Sequence, residues 1–124
     1  MDEKDIKFLI CDDSILARKN LSALLKSFGY TNIIEVSNGQ DAVNAYMHEH
    51  PTVALLDIVM PIKDGITATK EILAYDPKAI VIMVSSVGTQ TNLREAIKAG
   101  AKDFIQKPVE ESLLEEVLEH VLNG

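Results

Sequence analysis

The sequence predicts an α/β fold, an open doubly wound parallel sheet of five strands flanked by five helices. Two observations carry this: five short apolar runs of strand length, and helically spaced apolar stripes in the stretches between them. The first run, Phe8-Leu9-Ile10-Cys11, is unbroken, as in a parallel strand covered on both faces. Ala17, Leu21, Leu24, Leu25 and Phe28 then recur at helical intervals, and Gly29 stands where a helix end favours glycine. Ile33-Ile34-Glu35-Val36 reads as the second strand. Asn38 is the expected N-cap of a second helix striped by Ala42, Ala45 and Tyr46. The third strand, Val53-Ala54-Leu55-Leu56, is again continuous. Thr69, Ile72 and Leu73 mark a helix that stops before Pro77. The fourth strand is Ile80-Val81-Ile82-Met83-Val84, and its helix, with Leu93, Ala96 and Ile97, ends at Gly100. Phe104-Ile105 forms the last strand, and Leu114, Val117, Leu118, Val121 and Leu122 stripe the last helix. Five alternations with short connections make the pattern of a parallel sheet, whose strands need crossovers. No repeat, low-complexity tract or linker interrupts the pattern, so a single domain over residues 1–124 is expected.

Composition narrows the function. At 124 residues, 47% hydrophobic and 25% charged, the chain has enough apolar surface for a core without metal or disulfide staples. Acidic side chains outnumber basic ones 19 to 12, a net charge of −7, which argues against nucleic acid or an anionic membrane as partner. No apolar run is long enough to span a bilayer. The opening Met1-Asp2-Glu3-Lys4-Asp5 has no apolar segment of the kind a secretory signal needs. A single cysteine makes no internal disulfide, so a cytoplasmic setting is expected, with Cys11 a buried and inert thiol.

In open α/β sheets ligands sit outside the carboxyl ends of the strands. There the sequence places Asp12 and Asp13 after the first strand, Asp57 after the third, Ser85 and Ser86 after the fourth, and Lys107-Pro108 after the fifth. Singly, each has a bland reading: an acid pair at a helix N-terminus, a strand-end cap, turn formers, an exposed lysine. Jointly they put three carboxylates, a hydroxyl and an ammonium on one edge. Three clustered carboxylates repel one another, and hard Mg²⁺, which prefers oxygen ligands, relieves that repulsion. Cations gathered around one carboxylate suit the placing of a phosphoryl group on it, since aspartate is a competent nucleophile toward phosphorus.

The segments Leu9-Ile10-Cys11-Asp12-Asp13-Ser14, Leu56-Asp57-Ile58-Val59-Met60-Pro61 with Asp64-Gly65, Val84-Ser85-Ser86 and Ala99 through Pro108 closely resemble response-regulator receiver domains of the stand-alone chemotaxis (CheY-like) type. The resemblance spans nearly the whole chain. It implies a flavodoxin-like sheet of order 2-1-3-4-5 and a phosphoryl group taken from the phosphohistidine of a histidine kinase. It implies Asp57 as acceptor, with Mg²⁺ held by Asp13, Asp57 and the Val59 backbone carbonyl and by Asp12 through water. Ser85 and Lys107 would then contact phosphoryl oxygens, and Ser85 with Phe104 would form the switch. The surface of the fourth helix, fifth strand and fifth helix would change shape for a downstream partner. That partner is a motor switch protein, a phosphatase or a relay protein, and the receiver itself is expected to be a monomer. The resemblance also implies a cis Lys107-Pro108 bond.

Departures from the family pattern matter. Phe104 stands where tyrosine is frequent, so the switch ring has no hydroxyl. Val59 and Val87, two residues beyond Asp57 and Ser85, carry nothing to orient an attacking water, so slow self-hydrolysis of the acyl phosphate is expected. Val109 replaces a frequent Phe, with no interpretation. The acids Glu110, Glu111, Glu115, Glu116 and Glu119 read mainly as a solvated helix face that also steers a basic partner. Two rivals keep the fold class: a single-domain phosphorelay intermediate passing its phosphoryl group to a histidine phosphotransferase, and a receiver-like adaptor that is never phosphorylated. A haloacid-dehalogenase phosphatase needs an acid where Val59 stands, and a flavodoxin phosphate would be repelled by Asp12-Asp13. No glycine-rich or Walker loop supports nucleotide binding. His48 and His50, two residues apart, do not share a helix face.

Overall fold

The computed structural model describes residues 5–86 and 90–123. Five strands, β1 (Lys7–Cys11), β2 (Asn32–Val36), β3 (Val53–Leu56), β4 (Val81–Ser85) and β5 (Asp103–Gln106), alternate with five helices. These are α1 (Ile15–Ser27), α2 (Gly39–Glu49), α3 (Gly65–Tyr75), α4 (Gln90–Ala99) and α5 (Glu111–Asn123). All strand pairs are parallel and the order is β2-β1-β3-β4-β5, as the resemblance implied. The three continuous apolar runs are the three central strands, and the more polar β2 and β5 are the edges.

Successive strand side chains point to opposite faces, and this alternation sorts them into two cores. Leu9, Cys11, Ala54, Leu56, Val81 and Met83 pack beneath α2, α3 and α4. Phe8, Ile10, Val53, Leu55, Ile82 and Val84 pack beneath α1 and α5. The signals read at Asn38 and Gly29 hold, and Ser14 and Asp64 add two caps that the sequence reading does not mark. Ser14 caps α1 by accepting from the Ala17 amide, Asn38 caps α2 from Asp41, and Asp64 caps α3 from Thr67. Gly29, at φ 99°, ends α1, with the Gly29 amide on the Lys26 carbonyl and the Tyr30 amide on the Leu25 carbonyl.

Strand boundaries shift by single residues: β1 and β2 begin one earlier, β5 gains one at each end, and both ends of β4 move. Ile80 precedes β4, although its carbonyl still takes the Ala54 amide at 2.9 Å. Ser85 closes β4 instead of following it, paired in register with Gln106. The Lys107–Pro108 peptide is cis, again as the resemblance implied. No helix among the described residues is long and apolar enough to cross a membrane.

Candidate functional site

Register brings the predicted residues together. β1 and β3 pair through Cys11 and Leu56, so Asp12 and Asp57, each the next residue, leave the sheet side by side. The Asp57 amide fixes the step by donating to the Cys11 carbonyl at 2.9 Å. Across the sheet, the Lys107 amide donates to the Ser85 carbonyl at 2.9 Å. From there the lysine side chain reaches back, its Nζ 2.5 Å from Asp12 Oδ2 and 3.2 Å from Asp57 Oδ2. One carboxylate oxygen each from Asp12, Asp13 and Asp57 lies within 4.8 Å of the others. Asp12 and Asp57 are only 5% and 8% exposed, whereas Asp13 stands open to solvent. Ser85 is fully buried, and Phe104 is half-buried against the α2–α4 core.

Electrostatics follow from this packing. Burial disfavours the Lys107 ammonium, but the Asp12 hydrogen bond and the Asp57 and Asp12 charges outweigh it and raise its pKa. It is therefore a fixed cation at neutral pH. Three carboxylates against one ammonium leave two negative charges, which one divalent cation cancels. The donors are all hard oxygens, so the residues fit Mg²⁺. The Cys11 thiol beneath is pushed up to about 12 by burial, then by the carboxylates of Asp12, Asp41 and Asp57. It donates to the Asn38 carbonyl at 3.1 Å and is buried, as expected.

The loop after Asp57 is held tightly. The Ile58 amide donates to Asp57 Oδ1 at 2.7 Å, and the Gly65 amide to the Ile58 carbonyl at 2.8 Å. Val59 is 61% exposed, and Val87 lies outside the described residues. Ile62, 81% exposed, has φ 72° at the centre of a γ-turn closed by the Lys63 amide on the Pro61 carbonyl at 2.7 Å. A β-branched side chain is strained there. Ile62→Asn is therefore expected to stabilise the fold by about 1 kcal/mol. The measurement is a higher urea midpoint at unchanged slope, and an unchanged or lower midpoint would contradict it.

One contact escaped sequence reasoning: Arg18, in the second turn of α1, donates from Nη1 to the Asp12 carbonyl at 2.6 Å. Nothing in its spacing distinguishes it from a solvated helix arginine. Glu110, Glu111, Glu115, Glu116 and Glu119 are all exposed, and His48 and His50 have other partners, Glu49 and Tyr75.

The family model of the response regulator receiver domain matches residues 8–119. Among curated proteins, the chemotaxis protein CheY of Thermotoga maritima is 43% identical over 115 residues, covering 93% of this chain and 96% of its own. Among solved structures, the CheX–CheY–BeF3–Mg²⁺ complex from Borrelia burgdorferi matches with TM-score 0.90 and 33% identity, over 96% of this chain and 90% of that one. The receiver domain of sensor histidine kinase PA1611 from Pseudomonas aeruginosa PAO1, solved with a magnesium ion in its active-site cleft, matches with TM-score 0.88. Its identity is 25%, over 96% of this chain and 98% of that one.

Proposed function

The chain belongs to the response regulator receiver domain family, CheY type, and from that premise we propose that it accepts a phosphoryl group on Asp57 from a histidine kinase. One observation carries this reading: a nearly buried carboxylate at a strand end, touched by a lysine ammonium and flanked by two more carboxylates. Asp12, Asp13 and Asp57, with the Val59 carbonyl, would hold Mg²⁺. When bound, the ion supplies charge neutralisation for the transferring group.

The remaining chemistry belongs to the chain. An Asp57 carboxylate oxygen forms the new bond to phosphorus as the phosphorus–nitrogen bond breaks, and the imidazole keeps that electron pair. Lys107, already beside Asp57 Oδ2, turns to a phosphoryl oxygen, and the Ser85 hydroxyl donates to another. The modification biases an equilibrium that Ser85 and Phe104 span, which alters the α4–β5–α5 face. The readout is then a protein contact, with a motor switch protein, a phosphatase or a relay protein as target, and the receiver acts as a cytoplasmic monomer. The rim of the site suits a protein donor. Ile15 and Leu16 at the start of α1, and Val59 and Ile62 in the loop after Asp57, are all large, apolar and more than half exposed.

Acetyl phosphate with Mg²⁺ is expected to add about 80 Da, one phosphoryl group, to the intact mass. EDTA is expected to prevent the addition, and a chain left unmodified under both conditions would overturn the proposal. The exposed Val59 offers a nearby water no hydrogen bond, so the acyl phosphate should be long-lived. Val59→Asn is expected to shorten its half-life several-fold in a decay assay, and an unchanged half-life would remove that cause. A persistent phosphoryl group also favours the second reading, in which it passes onward to a histidine of a relay protein.

A further inference from the structure

Asp12 is gripped from four directions. Its amide donates to the Val36 carbonyl at 3.2 Å, its Oδ1 accepts from the Ser14 amide at 2.9 Å and its Oδ2 from Lys107 at 2.5 Å. The fourth grip is on its carbonyl, which has left the sheet and accepts from Arg18 at 2.6 Å. That carbonyl belongs to the peptide unit joining Asp12 to Asp13, so whatever fixes it sets how the two carboxylates stand relative to each other. Arg18 is itself held. Its side chain is 15% exposed, and its Nε lies 3.4 Å from Glu35 Oε1 on the neighbouring edge strand. Only a guanidinium, with several donors in a rigid fork, reaches a carbonyl and a carboxylate at once. Glu35 also offsets its charge, so the clamp adds little positive field to an acidic site. The other cation on Glu35, Lys19, is 66% exposed and does not touch Asp12.

We propose that Arg18 is a positioning residue for the acidic site, clamping the Asp12–Asp13 peptide so that the carboxylates are preset for a divalent cation. This rests on the Mg²⁺ reading of Asp12, Asp13 and Asp57. Charge alone makes the opposite claim. A cation near three carboxylates repels Mg²⁺, so its removal would tighten binding. A purely structural role would lower the melting temperature and leave the metal affinity alone.

Calorimetric titration of Mg²⁺ into the unphosphorylated protein separates these, with melting temperature measured without metal. Arg18→Met is expected to raise the Mg²⁺ Kd about tenfold, the usual scale for a residue that orients metal ligands. Arg18→Lys, with one donor group for two partners, is expected to fall between that variant and wild type. Lys19→Met should match wild type. Arg18→Met binding as tightly as wild type, or tighter, overturns the proposal. If Arg18→Met does not fold, Arg18→Lys decides, and a wild-type Kd for it is the overturning result. A wild-type protein that takes no Mg²⁺ defeats the underlying site reading instead, so the two failures are distinct.

Discussion

Asp57→Asn is expected to take up no phosphoryl group from acetyl phosphate and Mg²⁺ under conditions that label the wild type to completion. The effect is all or none because the substitution changes one atom of the reacting group. An amide oxygen carries no full charge and is a poor nucleophile toward phosphorus. The surroundings survive. The carboxamide that replaces the acid still offers an oxygen to the Ile58 amide, and Lys107 keeps its 2.5 Å contact with Asp12. Removing one of three mutually repelling carboxylates should leave the urea midpoint no lower than that of wild type. Lost labelling with retained stability therefore reports chemistry and not unfolding. Asp12 and Asp13 lie within 4.8 Å of the acceptor and remain carboxylates in the variant. Labelling of the variant as complete as wild type would show that one of them, or another group, is the real nucleophile.

Gly65→Ala is expected to cause the largest loss of stability, about 3 kcal/mol, together with a much slower labelling rate. Gly65 opens α3 directly beneath the acceptor, and its amide already bonds the Ile58 carbonyl. A methyl group at its Cα would be driven into the Asp57 carbonyl oxygen, with Met83 Cε 2.9 Å away on another side. Met83 is flexible and yields; the backbone of Asp57 does not, because its amide is tied to Cys11 on β1. The collision therefore displaces the residue that carries the chemistry. Urea denaturation and the initial rate of phosphoryl uptake both read the effect. A wild-type midpoint with a wild-type rate would show that the α3 start moves freely of the site.

These two positions also show what a sequence discloses. Asp57 was legible because an acid closing the apolar run Val53 to Leu56 contradicts its local pattern. The central strands were legible for a related reason: burial on both faces leaves an unbroken apolar signature, and the edges β2 and β5 are more mixed. The boundary at Ser85 was not, because a small hydroxyl side chain satisfied inside the fold continues a strand without any change in spacing. Ile62 was hidden more thoroughly. Positive φ is ordinarily signalled by glycine or asparagine, and a β-branched residue there is set by the closure of the loop. Arg18 illustrates the general limit. Its partners are a carbonyl six residues back and a carboxylate on a different strand, and no periodicity encodes either.

The most direct measurement is chemical trapping of the modified side chain. Protein treated with acetyl phosphate and Mg²⁺ is reduced with tritiated borohydride, which converts an aspartyl phosphate to homoserine, and the label is mapped by peptide sequencing. Label at position 57 alone, absent when EDTA is added, is the expected result. Label at Asp12 or Asp13, or label that persists without a divalent cation, would contradict it.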